Sequence, residues 1–214
     1  MIKVHHLNNS RSLRILWLLE ELELPYEIEN YQRDATTRLA PPELKSVHPL
    51  GKSPAVSDGD LVVHESGAIV EYVLDRYGNG RLMPARTSSD WVGYVQWLHY
   101  AEGSAMLPMM LHLYASRLGD AAAPLRPRID SQIDNHLSYM DRAVSATGYY
   151  VGSELTACDI LLSFVSQAAQ AAQRLGPFPH LLAHLRNLES RPAYLRALAR
   201  GGPYSLNVFW APKV

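Results

Sequence analysis

Two hydrophobic periods divide the chain. Up to about residue 80, short alternating runs are interrupted by single helix-period stretches; beyond it the period is helical almost throughout. Ile2 and Val4 alternate in the stretch Ile2 to Leu7, which reads as a strand, and Asn8, Asn9 and Ser10 are turn and cap formers. From Ser12 the period changes. Leu13, Leu16, Trp17, Leu19 and the run to Leu24 predict an amphipathic helix with a wide apolar face, stopped by Pro25. Tyr26 to Tyr31 alternates again and predicts a second strand. Residues 33–49 are irregular, with Pro41, Pro42 and Pro49, and hold at most a short helix near Glu43 to Val47.

The stretch Gly51 to Ile69, GKSPAVSDGDLVVHESGAI, predicts strand, turn, strand and helix start. Pro54 opens the first strand, Pro54 to Ser57, where a missing N–H is tolerated. Asp58-Gly59 is a hairpin turn signal. Leu61, Val62 and Val63 form a run of the buried type. Ser66 offers an N-cap hydroxyl for a helix to about Tyr77, with Ile69, Tyr72, Val73 and Tyr77 on its apolar face. Gly78-Asn79-Gly80 ends it. The order is β-α-β-α-β-β-α, a compact α/β domain over residues 1–80.

Residues 81–87, with Pro84, form a linker to an all-α domain over 88–214. Ser88 or Ser89 caps a long helix with Trp91, Tyr94, Val95, Leu98 and Ala101 on one face and Trp97, Tyr100 and Ser104 on another; Pro108 predicts a kink. Further helices begin after Pro127 (Ile129, Ile133, Leu137, Met140, Val144), at Thr156, near Pro179 and at Pro192. Thr156-Ala157-Cys158-Asp159 has capping-box spacing, with Asp for Glu. The tail, 204–214, carries Phe209 and Trp210, which are expected to cover apolar surface.

Charge removes several partner classes. With 20 basic and 21 acidic residues, the net charge of −1 gives no electrostatic case for nucleic acid or an anionic membrane. No apolar run reaches the ~18 residues of a membrane span, and the start MIKVHHLNNSRS lacks a signal-peptide core, so a cytoplasmic protein is expected. The single cysteine, Cys158, excludes an internal disulfide and suits a reducing compartment. In a packed helix it reads as inert. The helix mouth at Ser66, beside a strand end, has the free N–H groups of an anion site.

Five segments resemble the cytosolic glutathione transferase superfamily, in its order and spacing. SRSLRILWLLEELELPYE is similar to its first helix and second strand, HPLGKSPAV to its cis-proline loop, ESGAIVEYV to its glutathione-binding turn, LTACDILLS to its capping-box and staple motif, and RPAYLRAL to its last-helix segment. SRSLRILWLLEEL resembles bacterial and fungal GTT-like members most. The resemblance implies a thioredoxin-like N-terminal domain plus an all-α C-terminal domain. It also implies a homodimeric, metal-free enzyme that conjugates glutathione to small hydrophobic electrophiles. A non-catalytic glutathione-binding homologue, or a glutathione-dependent peroxidase or disulfide reductase, is the alternative.

Carried over by motif, Pro54 would be the cis-proline and the Ser53 backbone would pair with the cysteinyl part of glutathione. Lys52 would meet the glycyl carboxylate; Glu65 and Ser66 would hold the γ-glutamyl end. The hydroxyl position of some relatives falls near Leu7, which has no donor. Ser10 is therefore the first candidate to activate the thiol, Asn9 the second, and Arg11 an electrostatic support. Leu7, Trp97, Tyr100, Ser104 and Tyr204 are candidates for the electrophile pocket.

Overall fold

The computed structural model describes residues 1–210; the end of the tail, 211–214, lies outside the described residues. The chain divides into two compact units. Residues Met1–Leu82 and Glu189–Ser205 form the first; Met83–Leu188 and the stretch from Leu206 form the second.

The first unit is built on a four-stranded sheet of order β2-β1-β3-β4, with β1 (Ile2–Leu7), β2 (Tyr26–Tyr31), β3 (Ala55–Asp58) and β4 (Leu61–His64). Strands β1 and β2 are parallel, with Ile2 opposite Tyr26 and Leu7 opposite Tyr31. Strand β3 runs antiparallel to β1, with His5 opposite Ala55, and β4 antiparallel to β3. This is the compact α/β domain that the alternation pattern predicts, with the thioredoxin-like sheet that the resemblance implies.

Helix α1 (Ser12–Glu21) connects the parallel pair, a link that needs a crossover element. It is buried from Ser12 to Glu20, including Arg14, and so has no solvated face along that length. The reason is non-local. Helix α9 (Pro192–Gly201) packs on α1, and Trp17 meets Tyr194 edge-on at 5.3 Å. Burying Ile15, Leu16, Leu18 and Leu19 contributes about 1.5–3 kcal/mol per side chain. A charged clamp closes the pair. Arg191 reaches both oxygens of Glu21, and Glu20 accepts from Arg196, Arg200 and the Tyr26 hydroxyl.

The hairpin departs from expectation in three ways. Its two-residue loop is Gly59-Asp60, not Asp58-Gly59, and positive φ is confined to Gly59, as a primed turn with glycine first requires. Leu61 and Val62 are exposed, because β4 is the outer strand of the sheet. Ser66 does not cap helix α3 (Ser66–Tyr77): Glu65 holds the cap position at φ 68°, and the Ser66 hydroxyl is bonded elsewhere. The tyrosines of α3 also have polar work. The hydroxyls of Tyr72 and Tyr77 both donate to Asp58, tying the helix to β3. Helix α2 (Leu44–Val47) is the short helix of the proline-rich stretch.

The second unit is helical: α4 (Trp91–Tyr100), α5 (Met106–Ala115), α6 (Arg126–Val144), α7 (Ala157–Ala171), α8 (Pro179–Glu189, its last residue grouping with the first unit) and α10 (Asn207–Trp210). The expected break at Pro108 takes the form of a π-helical turn, Ala101–Ala105, before α5, next to the proline that cannot donate to the preceding turn. Helix α6 buries Ile129, Ile133, Leu137, Met140 and Val144, the register read from the pattern. Helix α7 is its buried centre. The Asp159 carboxylate accepts from the Thr156 N–H at 2.8 Å, closing the capping box. Trp210 is buried against Phe164.

Candidate functional site

Three segments of the first unit meet around the head of α1. The loop entering β3 makes a cis peptide between Ser53 and Pro54. The Ser53 hydroxyl donates to the His5 carbonyl at 2.8 Å and accepts from the Leu7 N–H at 3.3 Å. Its side chain is thus turned into the sheet, while the Ser53 backbone makes no hydrogen bond to another described backbone group. Gly51, at φ 57°, lies where an added Cβ would come within 3.0 Å of the Lys45 side chain. Lys52 is exposed.

The second segment is the mouth of α3. Its first N–H groups, from Ser66 on, have no carbonyl one turn back, which leaves them for an anion. Ser66 is buried, and Nη2 of Arg14 donates to its hydroxyl oxygen at 2.9 Å. Arg14 is 2 % exposed. With its oxygen taken by the guanidinium, the Ser66 hydroxyl hydrogen is available to an acceptor at the mouth. Glu65 is exposed beside it.

The third segment is Asn8 to Arg11. The Asn8 side chain accepts from the Arg33 backbone N–H at 2.8 Å, and its carbonyl accepts from Nε of Arg33 at 3.1 Å. Burial and the nearby Arg11 charge hold the Arg33 pKa down, so two guanidiniums crowd the same corner. That corner favours negative charge. Asn9 sits at φ 51°, with Oδ1 accepting from the Ser205 N–H at 2.7 Å. Ser10 is 4 % exposed, and its hydroxyl lies 2.8 Å from that of Ser12. The Leu7 N–H is shared between Ser12 and Ser53, which joins the head of α1 to the cis-proline loop.

Of the candidates for an apolar pocket, Leu7 and Tyr204 belong to the first unit. Leu7 is buried, and burial pushes the Tyr204 hydroxyl's pKa up. Trp97, Tyr100 and Ser104 belong to the second. Trp97 stacks on Tyr139 at 4.9 Å and meets Tyr100 edge-on at 5.2 Å; Tyr100 pairs with His136 through its hydroxyl. Ser104 lies in the π-helical turn. Among the described residues no cluster of His, Cys, Asp and Glu is placed to hold a metal ion, and no helix is long and apolar enough to cross a membrane.

The residues that sequence reasoning missed are those behind the site: His6, Asn8, Ser12, Arg14, Arg33 and Ser205. One of them had a signal. Leu13, Ile15, Leu16, Trp17, Leu18 and Leu19 flank Arg14 with apolar neighbours, a setting in which an arginine needs a buried partner.

Comparison with known proteins addresses the same segments. Residues 1–75 match the family of glutathione S-transferase N-terminal domains, and residues 108–196 that of the C-terminal domains. Glutathione S-transferase 1 of Saccharomyces cerevisiae is 33% identical over 219 residues, covering 91% of this chain and 92% of that protein. Glutathione S-transferase 3 of Schizosaccharomyces pombe is 32% identical over 229 residues, covering 98% and 91%. Among solved structures, a glutathione S-transferase from Actinobacillus pleuropneumoniae superposes with a TM-score of 0.86 at 36% identity, over 94% of this chain and 93% of that one.

Proposed function

The chain belongs to the glutathione S-transferase family, and on that premise we propose that it conjugates the thiolate of glutathione to small hydrophobic electrophiles. The observation that carries this reading is Arg14 behind Ser66: a buried cation aimed at the mouth of a helix makes a receptor for a carboxylate. In this reading Ser66 and the α3 amides take the γ-glutamyl carboxylate and Glu65 its ammonium. The Ser53 backbone beside Pro54 takes the cysteinyl amide, and Lys52 the glycyl carboxylate. A solved sphingomonad glutathione S-transferase, 24% identical with a TM-score of 0.75, is described as complexed with glutathione.

The sulfur then lies by the head of α1, where Asn9, Ser10 and Arg11 are the candidates to hold it as thiolate. A free thiol titrates near 8.5; lowering that by about two units requires ~2.7 kcal/mol. One hydrogen bond to the charged sulfur supplies about 1.5–3 kcal/mol and the helix N-terminus about 0.3–1 kcal/mol. The thiol proton leaves to water. The sulfur's electron pair forms the new bond to the electrophilic carbon; in a substitution the leaving group departs with the bonding pair, and in an addition to an isothiocyanate the carbon–nitrogen π pair moves to nitrogen, which takes a proton from water.

A route through a mixed disulfide on the protein finds no support, since the single cysteine, Cys158, is buried with its Sγ on the Tyr94 carbonyl. The reading includes a homodimer in the cytoplasm; the exposed stripe Leu107, Leu111 and Tyr114 on α5 supports the pairing. Titration calorimetry with reduced glutathione, followed by conjugation assays with a chloro-nitroaromatic and an isothiocyanate, tests it. Uptake of glutathione and turnover are expected; no uptake overturns it.

A further inference from the structure

A hydrogen-bond chain runs inward from the head of α1. Ser10 Oγ lies 2.8 Å from Ser12 Oγ, Ser12 Oγ lies 2.8 Å from His6 Nδ1, and His6 Nε2 lies 3.1 Å from the Gly201 carbonyl. All three side chains are buried. The far end is fixed in place: a Cβ on Gly201 would come within 2.9 Å of Leu16 Cδ1 and 3.2 Å of His6 Nε2, so α9 holds its carbonyl against the ring.

The chain has a direction. A carbonyl only accepts, so Nε2 of His6 carries a hydrogen. Burial lowers the pKa of His6, which keeps the ring neutral and leaves Nδ1 bare. The only hydrogen of Ser12 goes to Nδ1, at 2.8 Å rather than to the Leu7 carbonyl at 3.3 Å. Ser12 then accepts, from the Leu7 N–H and from Ser10. The Ser10 hydrogen is therefore spent on Ser12, and its oxygen also accepts the Ser12 N–H at 3.2 Å. Ser10 has lone pairs to present and no hydrogen to give. Asn9 is the opposite case: the Ser205 N–H fixes Oδ1 as its acceptor end, so its Nδ2 carries hydrogens that the Ser10 hydroxyl lacks.

We propose that His6 is a positioning residue which, through Ser12, holds the Ser10 hydroxyl as an acceptor and so leaves stabilisation of the glutathione thiolate to the Asn9 amide. The proposal rests on the glutathione reading above for its consequence, while the order of hydrogens stands without it. It also makes Ser10 a latent donor. Breaking the chain at Ser12 releases the Ser10 hydrogen.

Two measurements test it. Side-chain nitrogen NMR of His6 in the unliganded protein reads the tautomer directly: a protonated Nε2 and bare Nδ1 are expected, and the reverse tautomer overturns the proposal whether or not glutathione binds. Ultraviolet titration of bound glutathione then reads the thiol pKa. Asn9→Ala is expected to raise it by about one unit or more, a tenfold loss of thiolate. Adding Ser12→Ala is expected to recover part of that loss, and adding Ser10→Ala to the pair to abolish the recovery. A purely structural role for the chain produces no such recovery. Should Ser12→Ala not fold, Ser10→Ala in the native background decides: a raised thiol pKa overturns the proposal and an unraised one supports it. Failure of the native protein to bind glutathione, by contrast, overturns the functional reading and not the hydrogen order.

Discussion

His184 Nε2 lies 3.1 Å from Oδ1 of Asp159, and neither side chain meets solvent. The same carboxylate accepts from the N–H groups of Tyr150 and Thr156 and from the Thr156 hydroxyl. Asp159 is thus more than the closing member of a capping box. It joins the start of α7, the preceding loop and helix α8 through one buried group.

Asp159→Ala strands several buried donors at once. A loss of about 3–5 kcal/mol is expected, against about 0.5–2 kcal/mol for Thr156→Ala, which removes only cap chemistry. Denaturant unfolding of both variants checks this. Equal losses contradict the account.

Arg14→Leu removes the cation behind Ser66. Glutathione affinity is expected to fall by about 10- to 100-fold, the worth of a charge-assisted contact. An analogue with its γ-glutamyl carboxylate amidated should lose much less, because the missing partner is the one Arg14 serves. Calorimetry with the two ligands tests this, and equal losses refute the assignment.

Glu20 predicts an acid limb in the stability profile. Burial pushes its pKa up, but the hydrogen bonds from Arg196, Tyr26 and Arg200 outweigh burial and leave it below the usual 4.5. A carboxylate lowered in the folded state stabilises above its unfolded pKa, and that contribution is lost as pH falls through the folded value. Stability should therefore drop below about pH 4.5. Glu20→Gln should flatten that part of the curve while lowering stability at neutral pH. Melting temperatures across pH measure both.

Cys158 is wholly buried, with Sγ on the Tyr94 carbonyl, and burial together with the Asp159 charge drives its thiol pKa far up. It should resist alkylation in the native protein and react once the second unit unfolds. Rapid labelling of native protein, read by mass spectrometry, contradicts this placement.

The strands at Ile2–Leu7 and Tyr26–Tyr31 lie where the alternation puts them, and the buried register of α6 follows from its spacing. These depend on local period. The strand segment Leu61 to Val63 reads as buried from its residue types, yet β4 is an edge, and nothing local distinguishes an edge from a centre. Ser66 looks like a cap because caps are its commonest use. What redirects it is Arg14, fifty-two positions earlier and buried within the first unit. The motif segments were legible; the hydrogens behind them were not, because His6 finds Gly201 and Asn9 finds Ser205 only after the end of the chain returns to its beginning.

That return has a bearing on how the protein is made. On the ribosome the first eighty residues emerge long before α9 exists, so the face of Trp17 that Tyr194 covers stays bare until α9 has been synthesised. A nascent chain halted ahead of Pro192 would present the apolar face of α1 to any chaperone within reach, and a fragment ending near residue 82 would carry the same uncovered surface.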